Sequence, residues 1–369
     1  MKHRTRPQPA LLAIALTLPL ASPALAAEPV AAWQGARAAV TTKHLQPAMK
    51  DGEGYAEKYT FNADFEGGGD FYFSMTIGNL GFGDHKMEAK GRFTIDGKSY
   101  RWNKELDDDE WRRAKGGAFE IKAGPARIWG TPDKIEMSAK ARGGEIELAF
   151  TPIAPAWRPR DGQIRWGKDK KASDYTVFPL MAVTGRYKAG ADWQPLTGRG
   201  YGSHSWSELA PYETTRWTME LRGIDGDTTV YLRELGATGD YGRQRVPYLL
   251  VTKGGEILFE SFDYEMTPTQ TMTDKKHDNQ YVVPESFTLL GKDASDPNRM
   301  LRGKVTKKKL RKRTEPLAQM NAAMRAVASQ YSEPVNYDYD VEYAIEVKLG
   351  DRTERLQGVG RYEVYHLNK

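Results

Sequence analysis

The densest concentration of chemically useful side chains lies in one stretch, where Gly198, Gly200 and Gly202 alternate with Tyr201, Ser203, His204, Ser205, Trp206 and Glu208, and Arg216 and Trp217 follow closely. An imidazole, a guanidinium and a carboxylate can hold a polar head while indole and phenol rings cover an apolar body, so His204, Arg216, Glu208, Tyr201, Trp206 and Trp217 read as one ligand pocket. Closely spaced glycines permit a bent or bulged strand that aims His204 and Trp206 into one region. A histidine buried and hydrogen-bonded under a barrel rim accounts for the same residues equally well. Glu234 or Glu220 would add a proton donor to such a pocket if its side chain points inward, which alternation alone does not decide.

Other chemistries find little support. Ser203 and Ser205 flank His204 outside any Gly-x-Ser-x-Gly elbow, which argues against a serine nucleophile. The histidines lack zinc-site spacing, the acidic run Asp107 to Glu110 reads as a solvated turn, and the chain has no cysteine. No catalytic residue, metal or cofactor is therefore assigned.

The elements that must position these groups are strands. Tyr59, Phe61, Ala63 and Phe65 alternate up to Gly67-Gly68-Gly69, after which Phe71, Phe73 and Met75 alternate, and Asp96-Gly97 joins two more alternating runs. The pattern returns with Trp217, Met219 and Leu221 before Asp225-Gly226-Asp227, and with Gly254-Gly255 ahead of Ile257-Leu258-Phe259. Tyr59 to Trp217 and Gly97 to Gly255 share one offset of 158 residues, which suggests an internal duplication. At 369 residues the chain is also too long for one ordinary core. The expected organisation is a leader at 1–26, a linker at 27–50, and two units at 51–188 and 189–369.

One segment has helical periodicity. Thr314 can cap, Pro316 sits in the first turn, and Leu317, Met320, Met324, Val327 and Tyr331 form one stripe over about Thr314 to Gln330. That stripe should face the second barrel, making Met324→Asp costly. Just before it, Lys307, Lys308, Lys309, Arg311, Lys312 and Arg313 form a basic run without an acid. It fits an exposed edge or a long twisted hairpin, and could meet an anionic membrane surface or a partner such as a membrane transporter.

Lys2, Arg4 and Arg6, the apolar stretch Ala10 to Leu20 and Ala24-Leu25-Ala26 make a cleavable secretory leader with no lipobox, so a periplasmic location is expected. Without the leader 51 Lys and Arg face 49 Asp and Glu, which removes any general charge argument for nucleic-acid binding.

The segment TGRGYGSHSWSELAPYETTRWTMEL resembles the central motif of the lipocalin-like superfamily that joins the yeast survival-factor proteins, the AttH-type bacterial proteins and the carotenoid hydratases. FYFSMTIGN, ELAFTPIAPAW, YTVFPLMAVTGRY and GVGRYEVYHL agree in order, so the resemblance spans nearly the whole mature chain, and its closest likeness is to the survival-factor branch. The resemblance implies an all-β protein of two tandem lipocalin-like barrels with one principal helix in the C-terminal domain, binding and transporting a hydrophobic or amphipathic lipid, ceramide-like or isoprenoid. A hydratase or cyclase acting on an isoprenoid is the alternative. Family hydratases tend to carry Asp immediately before the motif histidine, where this chain has Ser203, and that departure favours binding over catalysis.

Overall fold

The structure is a computed structural model and describes residues 27–79 and 83–368. The leader lies outside the described residues. Period-two alternation is realised directly: in the strand Ala56–Phe65 the side chains of Glu57, Tyr59, Phe61, Ala63 and Phe65 are all buried.

Strands β1 (Val30–Ala32), β2 (Ala56–Phe65), β3 (Asp70–Gly78), β4 (Lys86–Ile95), β5 (Lys98–Leu106), β6 (Trp111–Arg113), β7 (Phe119–Ala123), β8 (Ala126–Thr131), β9 (Lys134–Ala141), β10 (Gly144–Pro152), β11 (Gln163–Trp166), β12 (Lys171–Lys188) and β13 (Trp193–Ser207) form the first sheet. The second contains β14 (Thr215–Asp225), β15 (Thr228–Ala237), β16 (Arg245–Lys253), β17 (Glu256–Ser261), β18 (Tyr264–Thr273), β19 (Val282–Lys292), β20 (Arg299–Thr314), β21 (Val335–Leu349) and β22 (Arg352–His366). Both sheets curl into barrels, one of them nearly closed and the other a half-barrel. Every pairing is antiparallel, and the hairpin at Asp96-Gly97 has both residues at positive φ, as its turn type requires.

In each sheet the last long strand returns to pair with the first: β13 lies between β2 and β12, and β22 lies between β14 and β21. This shared closure is the structural form of the 158-residue repeat. It also moves the boundary expected near residue 188. Lys188 pairs with Trp193 across a turn inside the first sheet, and the crossing to the second sheet comes after Ser207, through the short helix α1 (Pro211–Thr214).

Each sheet encloses its own core. Aromatic rings such as Phe61, Phe71, Phe73, Phe93 and Phe150 fill the first, while aliphatic residues with Tyr337, Tyr339, Tyr343 and Tyr362 fill the second. A third cluster, with Trp33, Trp157, Trp166, Val177, Tyr231 and Tyr248, joins the barrels. Burying each large apolar side chain contributes roughly 1.5–3 kcal/mol. β15 is buried on both faces for this reason, with Val230 and Leu232 in the second core and Tyr231 and Leu235 in the joint.

Two further expectations are corrected. Residues 27–50 do not form a free linker: β1 pairs with β11, Trp33 donates to the Pro247 carbonyl at 3.0 Å, and Leu45 is buried in the first core. The principal helix α2 is present in the C-terminal domain but runs only from Ala322 to Ala328, after β20 has carried Thr314 and a 3-10 turn has taken Pro316–Gln319. Asn321 re-caps the chain there by accepting from the Met324 amide. The apolar stripe consequently points to solvent, with Met324 57%, Val327 59% and Tyr331 58% exposed.

Candidate functional site

Strand alternation sends even-numbered residues of β13 into the first barrel. Gly198, Gly200 and Gly202 have no left-handed φ, and the strand is extended through them. Their role is close approach: a Cβ at Gly202 would lie 2.3 Å from the Phe61 ring, and one at Gly200 would lie 2.4 Å from the Asn62 carbonyl oxygen. The bulge anticipated here falls instead on β12, between Phe178 and Met181.

His204 is buried in the barrel, with its ring stacked on Tyr59 at 4.1 Å. Its Nδ1 is 2.7 Å from the carbonyl oxygen of His44, which can only accept, so Nδ1 carries a proton. Its Nε2 lies 2.5 Å from Oε1 of Glu57, a carboxyl with no solvent exposure. The other oxygen of Glu57 accepts from the Ala48 amide at 2.9 Å and from the Tyr55 hydroxyl. The Tyr59 hydroxyl lies 2.8 Å from both Glu57 Oε1 and the Leu45 carbonyl. Burial, reinforced by the Glu57 carboxylate, pushes both tyrosines far above the usual phenol range, so they keep their protons. What remains is the 2.5 Å contact between Glu57 Oε1 and His204 Nε2, an arrangement of carboxyl and imidazole suited to giving a proton at one atom and recovering it at the other.

The other residues picked out by sequence do not converge there. Trp206 packs on the first core with the Lys50 ammonium 5.3 Å from its ring. Glu208 clasps β12, accepting from the Ala172 amide at 2.7 Å. Tyr201 faces the joint, where the Arg222 guanidinium sits 3.9 Å from its ring and 4.1 Å from that of Tyr231. Arg216 donates to the Ala237 carbonyl at 3.2 Å, and Trp217 packs on the second core over Gly236. His204, Trp206, Arg216 and Trp217 were expected to converge on one ligand cavity or on the interface between the barrels; Trp206 packs on the first core and Trp217 on the second.

Both candidate acids are engaged. Glu234 does turn into the second barrel, but Arg245 holds it through two bonds of 2.5 and 2.7 Å. Burial alone would raise the Glu220 carboxyl; Arg222 and Arg233 outweigh it and hold the group below the ordinary carboxylate value. The basic run lies along the twisted hairpin of β20 and β21, bulged near Lys308 and Arg311, and much of its charge is matched. Lys307 pairs with Glu285 at 2.7 Å, Lys308 with Glu342 at 2.7 Å, Arg311 with Asp340 at 3.1 Å and Arg313 with Asp274 at 2.7 Å. Lys309 and Lys312 stay exposed.

Glu57 and Tyr55 escaped the sequence reading. The available signal was phase: Glu57 falls on the same parity as Tyr59, Phe61 and Phe65, a carboxyl in step with the apolar face.

Fold and site together define a tandem lipocalin-like protein with a buried acid–imidazole pair in its first barrel. No family model and no curated protein matches the sequence. The architecture does match solved structures. CghA with Sch210972 superposes with a TM-score of 0.59 at 12% identity, over 90% of this chain and 94% of that one. An AttH-type protein from Nitrosomonas europaea gives 0.53 at 15% identity, over 85% and 92%. Kievitone hydratase from Nectria haematococca gives 0.53 at 9%, over 88% and 91%. At these identities the likeness is one of fold, the one shared by AttH-type and hydratase structures.

Proposed function

We propose that the protein is a hydratase- or cyclase-type enzyme acting on an unsaturated apolar molecule of isoprenoid character, with Glu57 and His204 as its proton-transferring pair. The observation that carries this reading is the 2.5 Å contact between a fully buried carboxyl and an imidazole among aromatic walls. In a hydration the pair gives its proton to one alkene carbon, water adds to the cation at the other, and the proton released by that water returns to the pair. Both partners end as they began. The fold shared with kievitone hydratase supports the reading without carrying it.

Ser203 does not weigh against this chemistry. It lies on the face of β13 opposite to His204, so the acid comes from β2 and not from the motif's own strand. The test is turnover of polyunsaturated isoprenoids in deuterated water by the exported, leader-free protein. Deuterium on carbon in wild type, lost in Glu57→Gln and His204→Phe variants that still fold, is the expected result. Absence of turnover in wild type, with a hydrophobic or sphingolipid-like molecule recovered by native mass spectrometry, would overturn it in favour of a periplasmic carrier, the reading suggested by the survival-factor resemblance and the aromatic interior.

A further inference from the structure

The two barrels place a histidine at the same point of the same strand pairing. In the first, His204 on β13 faces Tyr59 on β2; in the second, His366 on β22 faces Trp217 on β14. Tyr59 and Trp217 are related by the 158-residue offset, so by strand register the two histidines face equivalent partners, although the offset itself carries His204 onto Tyr362. Their surroundings differ in one decisive respect. The offset carries Glu57 onto Thr215, so the sequence has no carboxyl at the corresponding position, and the register shifts between Thr215 and Trp217. His366 is only 8% exposed, and its Nε2 has no hydrogen-bond partner among the described residues. Buried polar atoms are rarely left unmet, because each forfeits the hydrogen bond it made to water.

We propose that the second barrel holds its own small-molecule site, in which Nε2 of His366 accepts a hydrogen bond from the hydroxyl of an aromatic alcohol. The ring is neutral at physiological pH, since burial, aided by Arg216 and His277, pushes its pKa down to about 4. A neutral imidazole carries a single proton, and with that proton on Nδ1 it offers Nε2 as an acceptor. A lone pair suits a donor and not an anion, and the nearby Arg216 disfavours a cation. Aromatic surfaces select the rest of the ligand: Tyr281 stacks on His366 at 4.4 Å, Tyr337 meets it edge-on at 6.2 Å, and Trp217 is its partner in register. A cavity of about 440 Å³ lies nearby, lined by His277, Glu315, Leu317 and Arg325 among others. His277 stacks on Tyr281 at 5.0 Å, so that cavity is one ring removed from His366.

This site is separate from the Glu57–His204 pair, and its test separates the two. Binding of 2-naphthol and of 2-methoxynaphthalene, which keeps the oxygen but has no proton to donate, is measured by calorimetry on the whole protein. For 2-naphthol, His366→Phe should weaken binding at least tenfold and Glu57→Gln should leave it within twofold; 2-methoxynaphthalene should not distinguish His366→Phe from wild type. Should His366→Phe fail to fold, wild type labelled with ¹⁵N-histidine gives the answer, because the His366 Nε2 resonance should move with 2-naphthol and stay with the methyl ether. Failure of wild type to bind 2-naphthol, or binding with that resonance unmoved, overturns the proposal. Loss of binding in Glu57→Gln alone would place the naphthol in the first barrel, overturning the second site and leaving the proposed function standing.

Discussion

Glu57 accepts from the Ala48 amide and the Tyr55 hydroxyl and is hydrogen-bonded to the His204 ring, so its loss strands several groups at once. Glu57→Leu should lower unfolding free energy by about 3–5 kcal/mol, whereas Glu57→Gln, which keeps an acceptor oxygen, should cost clearly less. Urea unfolding of the two variants checks this, and a leucine variant as stable as wild type would refute it. His366 supplies the pH dependence. Its folded pKa of about 4 lies below the ordinary 6.5, so between those values the unfolded chain binds a proton that the folded chain does not. Stability should therefore fall as pH drops from 6.5 to 4, by up to roughly 3 kcal/mol, and His366→Gln should flatten that slope. At this scale the sequence showed half of the site. His204 stood out within its glycine-rich strand; its partner lies 147 residues away, and no local pattern joins them.

The strands were legible as elements because alternation and turn residues are local: Asp96-Gly97 and Gly254-Gly255 fall between the strands their neighbours suggested. The glycines of β13 were read as a bend because sequence reports permissiveness and not which neighbour presses close. Gly202→Val should destabilise by several kcal/mol, on the order of 3 or more, since its side chain would enter the Phe61 ring; a melting temperature unchanged from wild type would show that the strand can move aside. The helix was misplaced for a related reason. Leu317 and Met320 continue the spacing of Met324 and Val327, yet they belong to a separate turn before Asn321 starts the helix anew. With Ala322 and Ala326 lining the cavity on its inner side, α2 presents Met324 outward. Met324→Asp should change stability by less than about 0.5 kcal/mol, measured by thermal unfolding, the reverse of what the stripe implied.

At the scale of the molecule, the duplication was visible as an offset, but its boundary was set one hairpin too early because the strand that closes each barrel comes last in its unit. A fragment ending at residue 188 lacks β13 and should be insoluble. Fragments 27–210 and 211–369, expressed together, should co-elute, because the joint they share is apolar and contains the bond from Trp157 to Glu260 at 3.0 Å. Separate elution of two folded halves would show the joint to be weaker than its burial indicates. Residues 27–50, held against both barrels, carry a consequence in time. Trp33 bonds to a carbonyl 214 residues further along the chain, and the His44 carbonyl receives a bond from a ring 160 residues away. Synthesis delivers this stretch well before its partners, and contacts between such distant residues form slowly. This stretch, made long before its partners, is thus among the last to find its place, and whatever holds it back also delays the completion of the Glu57–His204 pair beneath it.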